Sequence, residues 1–95
     1  MAYTLSVIGS SWTCLILRDL LQHGARRFQD FQDSLDGIAP TTLSERLRTL
    51  EQNGVVERRL YSMSPPRAEY VLTAKGRDLS PIVGAMRNWG RKYGR

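Results

Sequence analysis

The most regular stripe of apolar side chains lies in the middle of the chain. Its leucines recur at i, i+4 and i+7, at Leu43, Leu47 and Leu50. This spacing puts them on one face of a helix. Pro40 suits the first turn of that helix and Gly54 suits its end. We therefore predict a helix from Pro40 to Asn53 with its leucines turned towards the core.

The opposite side of this predicted helix carries hydroxyls and guanidinium groups rather than an ordinary mixture of Glu and Lys. Its polar residues, predicted to contact DNA, are Thr41, Thr42, Ser44, Glu45, Arg46 and Arg48. Short hydroxyls and planar guanidinium groups suit base edges and phosphates. A plain amphipathic surface helix gives a similar pattern, so this helix alone leaves both readings open.

A shorter apolar pattern precedes this helix. Phe31 and Leu35 mark a brief helix that is expected to end at Asp36 and Gly37. The side chain of Ile38 is then expected to fill the inside of the turn. Two helices joined by a short turn containing glycine are typical of a helix-turn-helix, with the segment from Pro40 in the recognition position.

Two β-rich segments follow, at 55–61 and 68–72, and predict a hairpin. Its connection, 62–67, contains two prolines, which cannot donate to a strand ladder. A hairpin directly after a recognition helix is a wing. Arg59 and Arg67 would place positive charge along a phosphate backbone or in a minor groove. The alternative is a hairpin that only closes the core.

The first long helix is predicted from Trp12 to Gln22, and it is apolar on two sides. Cys14, Leu17 and Leu21 line one side, and Ile16 and Leu20 line another. A helix with two apolar sides needs two neighbours. We expect one to be the domain's own core and the other to be a second subunit.

A last helix of about twenty residues is predicted after Thr73, which suits its N-cap. Its apolar stripe is Leu79, Ile82, Val83, Met86, Trp89 and Tyr93. This stripe is too bulky for a small monomer to cover, so it is predicted to form a dimer interface with Ile16 and Leu20. The alternative is that part of it folds back. Pro81 either kinks the helix or separates a first turn from it.

Composition narrows the class of protein. The chain has 95 residues and a net charge of +5, which suits one domain over 1–95 and a polyanionic partner. One cysteine and one histidine cannot form a disulfide or a metal cluster. We therefore expect no metal and no cofactor. No nucleophile, base and orienting residue can be named together, so we expect no enzyme.

The N-terminus lacks the charged and apolar regions of a secretory signal, and no apolar run reaches the length of a membrane span. We expect a cytoplasmic protein without a membrane partner. The expected fold class is mainly α with a small β-hairpin (α+β). It is a single winged helix-turn-helix domain with N- and C-terminal dimerisation helices.

The chain resembles the HxlR-type regulators, a branch of the bacterial winged helix-turn-helix repressors related to the MarR group. The matching segments are Ile8 to Thr13, Leu15 to Leu20, Arg27-Phe28, Leu43 to Leu47 with Leu50-Glu51, Gly54 to Arg58, Pro65 to Arg67 with Glu69-Tyr70, and Leu72 to Gly76. Each piece is weak alone, but their order and spacing are specific.

This resemblance implies a homodimeric DNA-binding transcriptional regulator, more often a repressor, with one recognition helix per subunit in the major groove of an inverted repeat. A small-molecule effector of unknown identity is a possible further partner. Two departures stand out: Ala39 replaces a serine common before the proline, and the N-terminal arm lacks the cysteine of oxidant-sensing members. The alternative function is a protein-interaction module without sequence-specific DNA binding.

Overall fold

The computed structural model describes residues 1–94, so Arg95, the last residue of the predicted domain, lies outside the described part. Within it, six helices and two strands follow in chain order. They are α1 (Ala2–Ile8), α2 (Ser11–His23), α3 (Phe28–Ser34), α4 (Pro40–Gln52), β1 (Val56–Met63), β2 (Pro66–Leu72), α5 (Ala74–Arg77) and α6 (Ser80–Tyr93). The α+β class and the helix-turn-helix order are as predicted.

The core forms where α2, α3 and α4 meet the start of the hairpin. The apolar side chains that meet there are Val7, Ile8, Ile16, Leu17, Leu20, Phe31, Leu35, Ile38, Leu43, Leu47, Leu50, Val55, Val56 and Leu72. All three leucines of α4 are buried, which confirms the predicted inward face. Burial of each such side chain stabilises the fold by about 1.5–3 kcal/mol relative to exposure.

Ile16 and Leu20 correct one prediction. They are 0% and 1% exposed within the single chain, so neither has surface left for a second subunit. Their assignment to a dimer interface is therefore wrong. A second apolar side on α2 reflects a helix that lies between several elements of its own domain.

The predicted last helix is two helices. The Thr73 hydroxyl accepts a hydrogen bond from the Gly76 N–H at 3.1 Å, which confirms the predicted N-cap. The chain then breaks after α5, and α6 begins at Ser80 with Pro81 in its first turn. Proline lacks the N–H that a helix interior requires but is well tolerated in a first turn. The separation of a short first turn from the main helix is therefore the correct alternative.

The hairpin pairs β1 with β2 in antiparallel register, from Val56 opposite Leu72 to Met63 opposite Pro66, with an irregularity between Leu60 and Ser62. The prediction that both prolines lie outside the strands is wrong for Pro66. It is the first residue of β2, where a missing N–H is tolerated. The connection is therefore shorter than predicted.

A buried carboxylate joins α2 to α3 and to the hairpin. Asp19 of α2 is 2% exposed and accepts hydrogen bonds from the Ser34 hydroxyl of α3 and from Arg26, whose Nη2 lies 3.4 Å away. Arg26 in turn forms an isolated bridge with Tyr70 of β2 through both backbone groups. Because an unpaired buried carboxylate is costly, this contact holds α2, α3 and the hairpin in one arrangement.

α1 was not predicted as a helix. Val7 and Ile8 are buried at its C-terminal end, whereas Tyr3 and Leu5 are 55% and 57% exposed. Gly9 follows it directly. The element is too short to be stable alone, so its packing against the domain decides its structure.

Candidate nucleic-acid interface

The outer face of α4 presents its polar side chains together. Thr41, Ser44, Glu45 and Arg48 are exposed on the side opposite the buried leucines. With Phe28 and Pro40 they line a shallow depression of about 490 Å³. The structure therefore brings four of the predicted contact residues into one surface, which combines hydroxyls, one guanidinium group and one carboxylate.

Arg48 is the cation of this surface. Among residues 1–94, its guanidinium group takes part in none of the ion pairs, which involve Arg18, Arg26, Arg27 and Arg59. A guanidinium group that is exposed and unpaired keeps its five donors for a partner. Arg48 is thus free to form bidentate contacts outside the protein.

Arg46 does not belong to the same surface. It lies two positions from Arg48, a rotation of about 200° around the helix. It is half-buried and lines a separate depression with residues of α1 and the start of α2, including Leu5, Ser10 and Thr13. Its Nε is buried without a hydrogen-bond partner among the described residues. Thr42 is also half-buried. Both remain predicted DNA contacts, but from a different flank.

The N-terminus of α4 lacks a side-chain cap. Ala39 occupies the N-cap position in extended conformation, and Pro40 starts the first turn. Alanine has no side-chain oxygen that could accept from the first N–H groups of the helix. The first N–H groups of a helix carry partial positive charge and attract an anion, including a phosphate, when no side chain satisfies them.

The two arginines predicted in the wing differ in their surroundings. Arg67 is exposed beside the irregular pairing with Ser62. Arg59 lies 3.1 Å from a Glu57 carboxylate oxygen and lines a depression beside the C-terminal end of α2. Its charge is therefore partly neutralised. Arg67 is the wing cation better placed to meet a polyanion.

The wing also exposes apolar side chains that were not singled out in the sequence. Leu60, Tyr61 and Met63 are 49%, 48% and 73% exposed. Leu60 and Tyr61 belong to the predicted strand segment and Met63 to the predicted connection, but the pattern did not show the face on which each lies. The irregularity after Leu60 shifts the alternation, so the exposed set could not be read from a period of two.

The start of α3 is fixed by a pair of charges. Asp30 accepts from the Arg27 backbone N–H at 2.8 Å and from the Arg27 guanidinium group at 3.2 Å. These hydrogen bonds lower the pKa of Asp30, the backbone bond most strongly. The carboxylate, with Tyr61 nearby, raises the pKa of Arg27. Only the second half of a capping box is present, since Asp30 at the third helical position accepts from the backbone N–H of the N-cap residue Arg27.

The predicted apolar stripe of α6 divides into two parts. Leu79 and Val83 are half-buried and pack against the domain core. Ile82, Met86, Trp89 and Tyr93 are 39%, 49%, 68% and 64% exposed. Because Ile82 also lines a small depression with Tyr3 of α1, the exposed apolar surface continues onto α1. Tyr3 and Leu5 were not predicted as part of it, since α1 was not predicted as a helix.

Cys14 lies on the half-buried side of α2. Its thiol donates to the Ile8 carbonyl oxygen at 3.4 Å. Burial raises the pKa of Cys14, and a smaller effect in the opposite direction comes from a hydrogen bond with the backbone of Cys14 itself. A thiol of this kind is a weaker nucleophile at neutral pH than one whose pKa is lowered.

Two other kinds of site can be described over residues 1–94. No three His, Cys, Asp or Glu side chains lie together in a way that would hold a metal ion. No single helix there is both long enough and apolar enough to cross a membrane. Helices α1 and α2 taken together have that length and composition, but the pair is bent by 75°.

Comparison with known proteins agrees with this geometry. The chain is 40% identical over 90 residues to the uncharacterized HTH-type transcriptional regulator YdeP of Bacillus subtilis (strain 168), an alignment covering 95% of this chain and 70% of YdeP. It is 40% identical over 91 residues to the uncharacterized HTH-type transcriptional regulator sll1512 of Synechocystis sp. (strain ATCC 27184 / PCC 6803 / Kazusa), covering 96% of this chain and 67% of the relative.

Solved structures are similar over nearly the whole chain. The redox regulator HypR in its oxidized form matches with a TM-score of 0.92 and 37% identity, over 99% of this chain and 96% of HypR. The reduced form of YodB from B. subtilis matches with a TM-score of 0.84 and 33% identity, over 100% and 92%. A sequence model of the HxlR-like helix-turn-helix family matches residues 7–95. This chain therefore belongs to the HxlR-like family of helix-turn-helix transcriptional regulators.

Proposed function

We propose that this protein binds a pseudo-palindromic DNA operator as a homodimer and represses transcription from it. Each subunit places α4 in a major groove, and the wing lies along the backbone or in a minor groove. This function would be exercised in the cytoplasm, where the DNA is accessible. No catalytic step is involved.

The observation that carries the proposal is the outer face of α4. Its buried leucines leave Thr41, Ser44 and Arg48 exposed together on a rigid helix. Arginine and short hydroxyl side chains are suited to reading base edges in a major groove, which is wide enough to admit a helix. The net charge of +5 favours association with duplex DNA through release of counterions.

The exposed apolar surface of α6 supports the dimer. Ile82, Met86, Trp89 and Tyr93 form a patch that a soluble single chain would be expected to cover. A twofold pair of these helices would cover it and present two identical recognition helices. A palindromic operator matches that symmetry.

Repression would follow because a dimer bound to an operator that overlaps a promoter excludes other proteins from the same duplex. Thr42, Arg46, Arg59 and Arg67 would add backbone contacts, which position the protein without reading sequence.

Selection of bound fragments from random duplex DNA tests this function. The proposal expects enrichment of inverted repeats whose half-site centres lie about one helical turn, or a multiple of it, apart. Recovery of unrelated fragments with affinities that depend only on salt would contradict sequence-specific binding. Together with a tight protein partner, that result would favour the interaction module instead.

A further inference from the structure

A small polar pocket lies where α1 and the start of α2 meet the flank of α4. Its volume is about 280 Å³. The residues that give it its polar character are Ser6, Gly9, Ser10, Thr13, Arg46 and Thr49. We call it the Arg46 pocket. None of the described residues that line it is acidic, so the formal charge at its wall is positive.

Thr13 brings a buried hydroxyl to this pocket. Thr13 and Asp19 are the two polar residues buried among residues 1–94, at 3% and 2% exposure. The Asp19 carboxylate accepts from Ser34 and Arg26, whereas the Thr13 hydroxyl forms no hydrogen bond with a described residue. A buried polar group without a partner is costly. Because Thr13 lines the Arg46 pocket, an acceptor bound there would satisfy it.

The Arg46 guanidinium group is a second unsatisfied donor at the same pocket. Its Nε is buried and has no hydrogen-bond partner among the described residues. Within residues 1–94 it also takes no part in an ion pair. By contrast, the hydroxyls of Ser6 and Thr49 each donate to a carbonyl oxygen of their own helix, at 2.6 and 3.1 Å. The side-chain donors left for a ligand are therefore those of α2 and Arg46.

The first turn of α2 adds backbone donors beside the pocket. Its N-cap, Ser10, forms no side-chain cap hydrogen bond, and the Cys14 N–H donates to the Ser10 carbonyl oxygen at 3.2 Å. The three preceding N–H groups, at 11–13, meet no acceptor among the described residues. The first turn also carries no acidic side chain. A helix start of this kind carries partial positive charge and suits an anion.

We infer that the Arg46 pocket binds one phosphate group, held by Arg46, the Thr13 hydroxyl and the N–H groups at the start of α2. Donors of three kinds meet there, and a tetrahedral phosphate offers more acceptor oxygens to them than a planar carboxylate does. The phosphate is either a free ion or a phosphodiester of DNA. The DNA source rests on the proposed function, since Arg46 lies on a flank of the recognition helix; binding of phosphate itself does not.

Nuclear magnetic resonance of the isotope-labelled full chain tests the site without DNA. Inorganic phosphate is titrated against chloride of equal ionic strength. The Arg46 Nε–H signal and the amide signals of Ser11, Trp12 and Thr13 should shift and saturate with phosphate. Arg46→Gln should weaken phosphate binding about tenfold, as expected for loss of a charge-assisted hydrogen bond. Arg91→Gln, which removes the same charge from α6, should bind phosphate as the wild type does.

Thr13→Val separates a binding role from a structural one. Valine keeps nearly the same shape but lacks the hydroxyl. Phosphate binding should weaken about fivefold, as for loss of a neutral hydrogen bond. The midpoint of urea unfolding in phosphate-free buffer should stay equal or rise, because an unpartnered polar group leaves the interior. A lower midpoint together with unchanged phosphate binding would show that the hydroxyl only supports the fold, and would overturn its assignment to the site.

Operator DNA distinguishes the two sources of phosphate. Operator phosphates are replaced one at a time by neutral methylphosphonates. If DNA supplies the group, one replacement per half-site should weaken binding by the wild type but not by Arg46→Gln. If the free ion does, no replacement should show this difference, while inorganic phosphate still saturates the α2 signals. The inference would be overturned if those signals moved with neither phosphate nor operator, or if wild type and Arg46→Gln bound phosphate equally. The phosphate titration decides this even for a protein that selects no operator.

Discussion

Lys75 of α5 donates a hydrogen bond to the Tyr3 hydroxyl of α1 at 2.7 Å and another to the Asn53 carbonyl oxygen at 2.8 Å. Asn53 is the C-cap of α4. One ammonium group therefore joins the first helix to the end of the recognition helix. It also neutralises the partial negative charge of that helix end.

Replacing this ammonium group should loosen both connections. Lys75→Met is expected to lower the free energy of unfolding by about 0.5–1 kcal/mol, a modest amount because the contacts are exposed. Denaturant titration measures it. Lys92→Met is the matched control, since Lys92 only approaches the Tyr93 ring on α6. Equal losses in both variants would show that net charge, and not the link to Tyr3 and Asn53, is responsible.

Arg48 and Arg67 are expected to contribute differently to DNA binding. Arg48→Ala should weaken binding to the selected operator by about 1–3 kcal/mol and relax preference at one base pair per half-site. Arg67→Ala should weaken all duplexes alike and flatten the dependence of affinity on salt, because a backbone contact releases counterions without reading bases. Fluorescence anisotropy with operator and scrambled duplex at several salt concentrations separates the two effects. Equal losses on both duplexes for both variants would refute this division.

A charge in the middle of the exposed α6 patch should prevent dimerisation. Met86→Glu would bury an unpaired carboxylate at a twofold contact and cost several kcal/mol of association. Sedimentation at micromolar concentration should then show a monomer, circular dichroism should show that the domain retains its helical signal, and operator binding should be much weaker. Asn88→Glu adds the same charge about 200° around the helix and should leave the dimer intact. A monomeric wild type that binds its operator tightly would show that this helix serves another partner.

Cys14 is expected not to act as an oxidant sensor. Burial holds the pKa of its thiol above the ordinary value, so little thiolate is present at neutral pH. Cys14→Ser should therefore leave operator affinity, and its response to mild oxidants, nearly unchanged. Anisotropy before and after treatment with hydrogen peroxide measures both. Release of DNA by oxidised wild type but not by oxidised Cys14→Ser would restore a redox role.

The Asp30 cap should make stability depend on acid. Its pKa is lower in the folded chain than in the unfolded chain, so its contribution is complete above the unfolded pKa and is lost as pH falls through the folded pKa. Asp30→Asn is expected to cost about 0.5 kcal/mol at neutral pH. Urea titrations across the acid range should show this difference shrinking. Asp33→Asn removes an equal charge from the same helix, and a matching pH dependence there would count against the Arg27 contact as the cause.

Much of the fold could be predicted because local and tertiary preferences agree. The leucine period of α4, the Thr73 cap and the β-rich segments each identify one element, and each is observed. Agreement between local and tertiary preferences is what allows an element to be predicted from the sequence. The outer face of α4 followed directly, since burying Leu43 and Leu47 determines which side faces outwards.

The failures have a common physical origin. Ile16 and Leu20 were assigned to a partner because a period shows that a side is buried but not by which chain. The local pattern also did not show that Arg46 lies on a different flank from Arg48, beside α1. Both shortfalls concern where a neighbour lies. That information comes from long-range packing and not from any local pattern.

α6 has 14 residues and none of them is buried within the chain. Isolated helices of about this length are marginal in water, so α6 depends on whatever packs against it. If a second copy does so, part of the folding free energy becomes a function of concentration, and the melting temperature rises as protein accumulates. The amount of the regulator in the cell would then be a signal in its own right, since a scarce protein would exist mainly as subunits with an incompletely supported last helix.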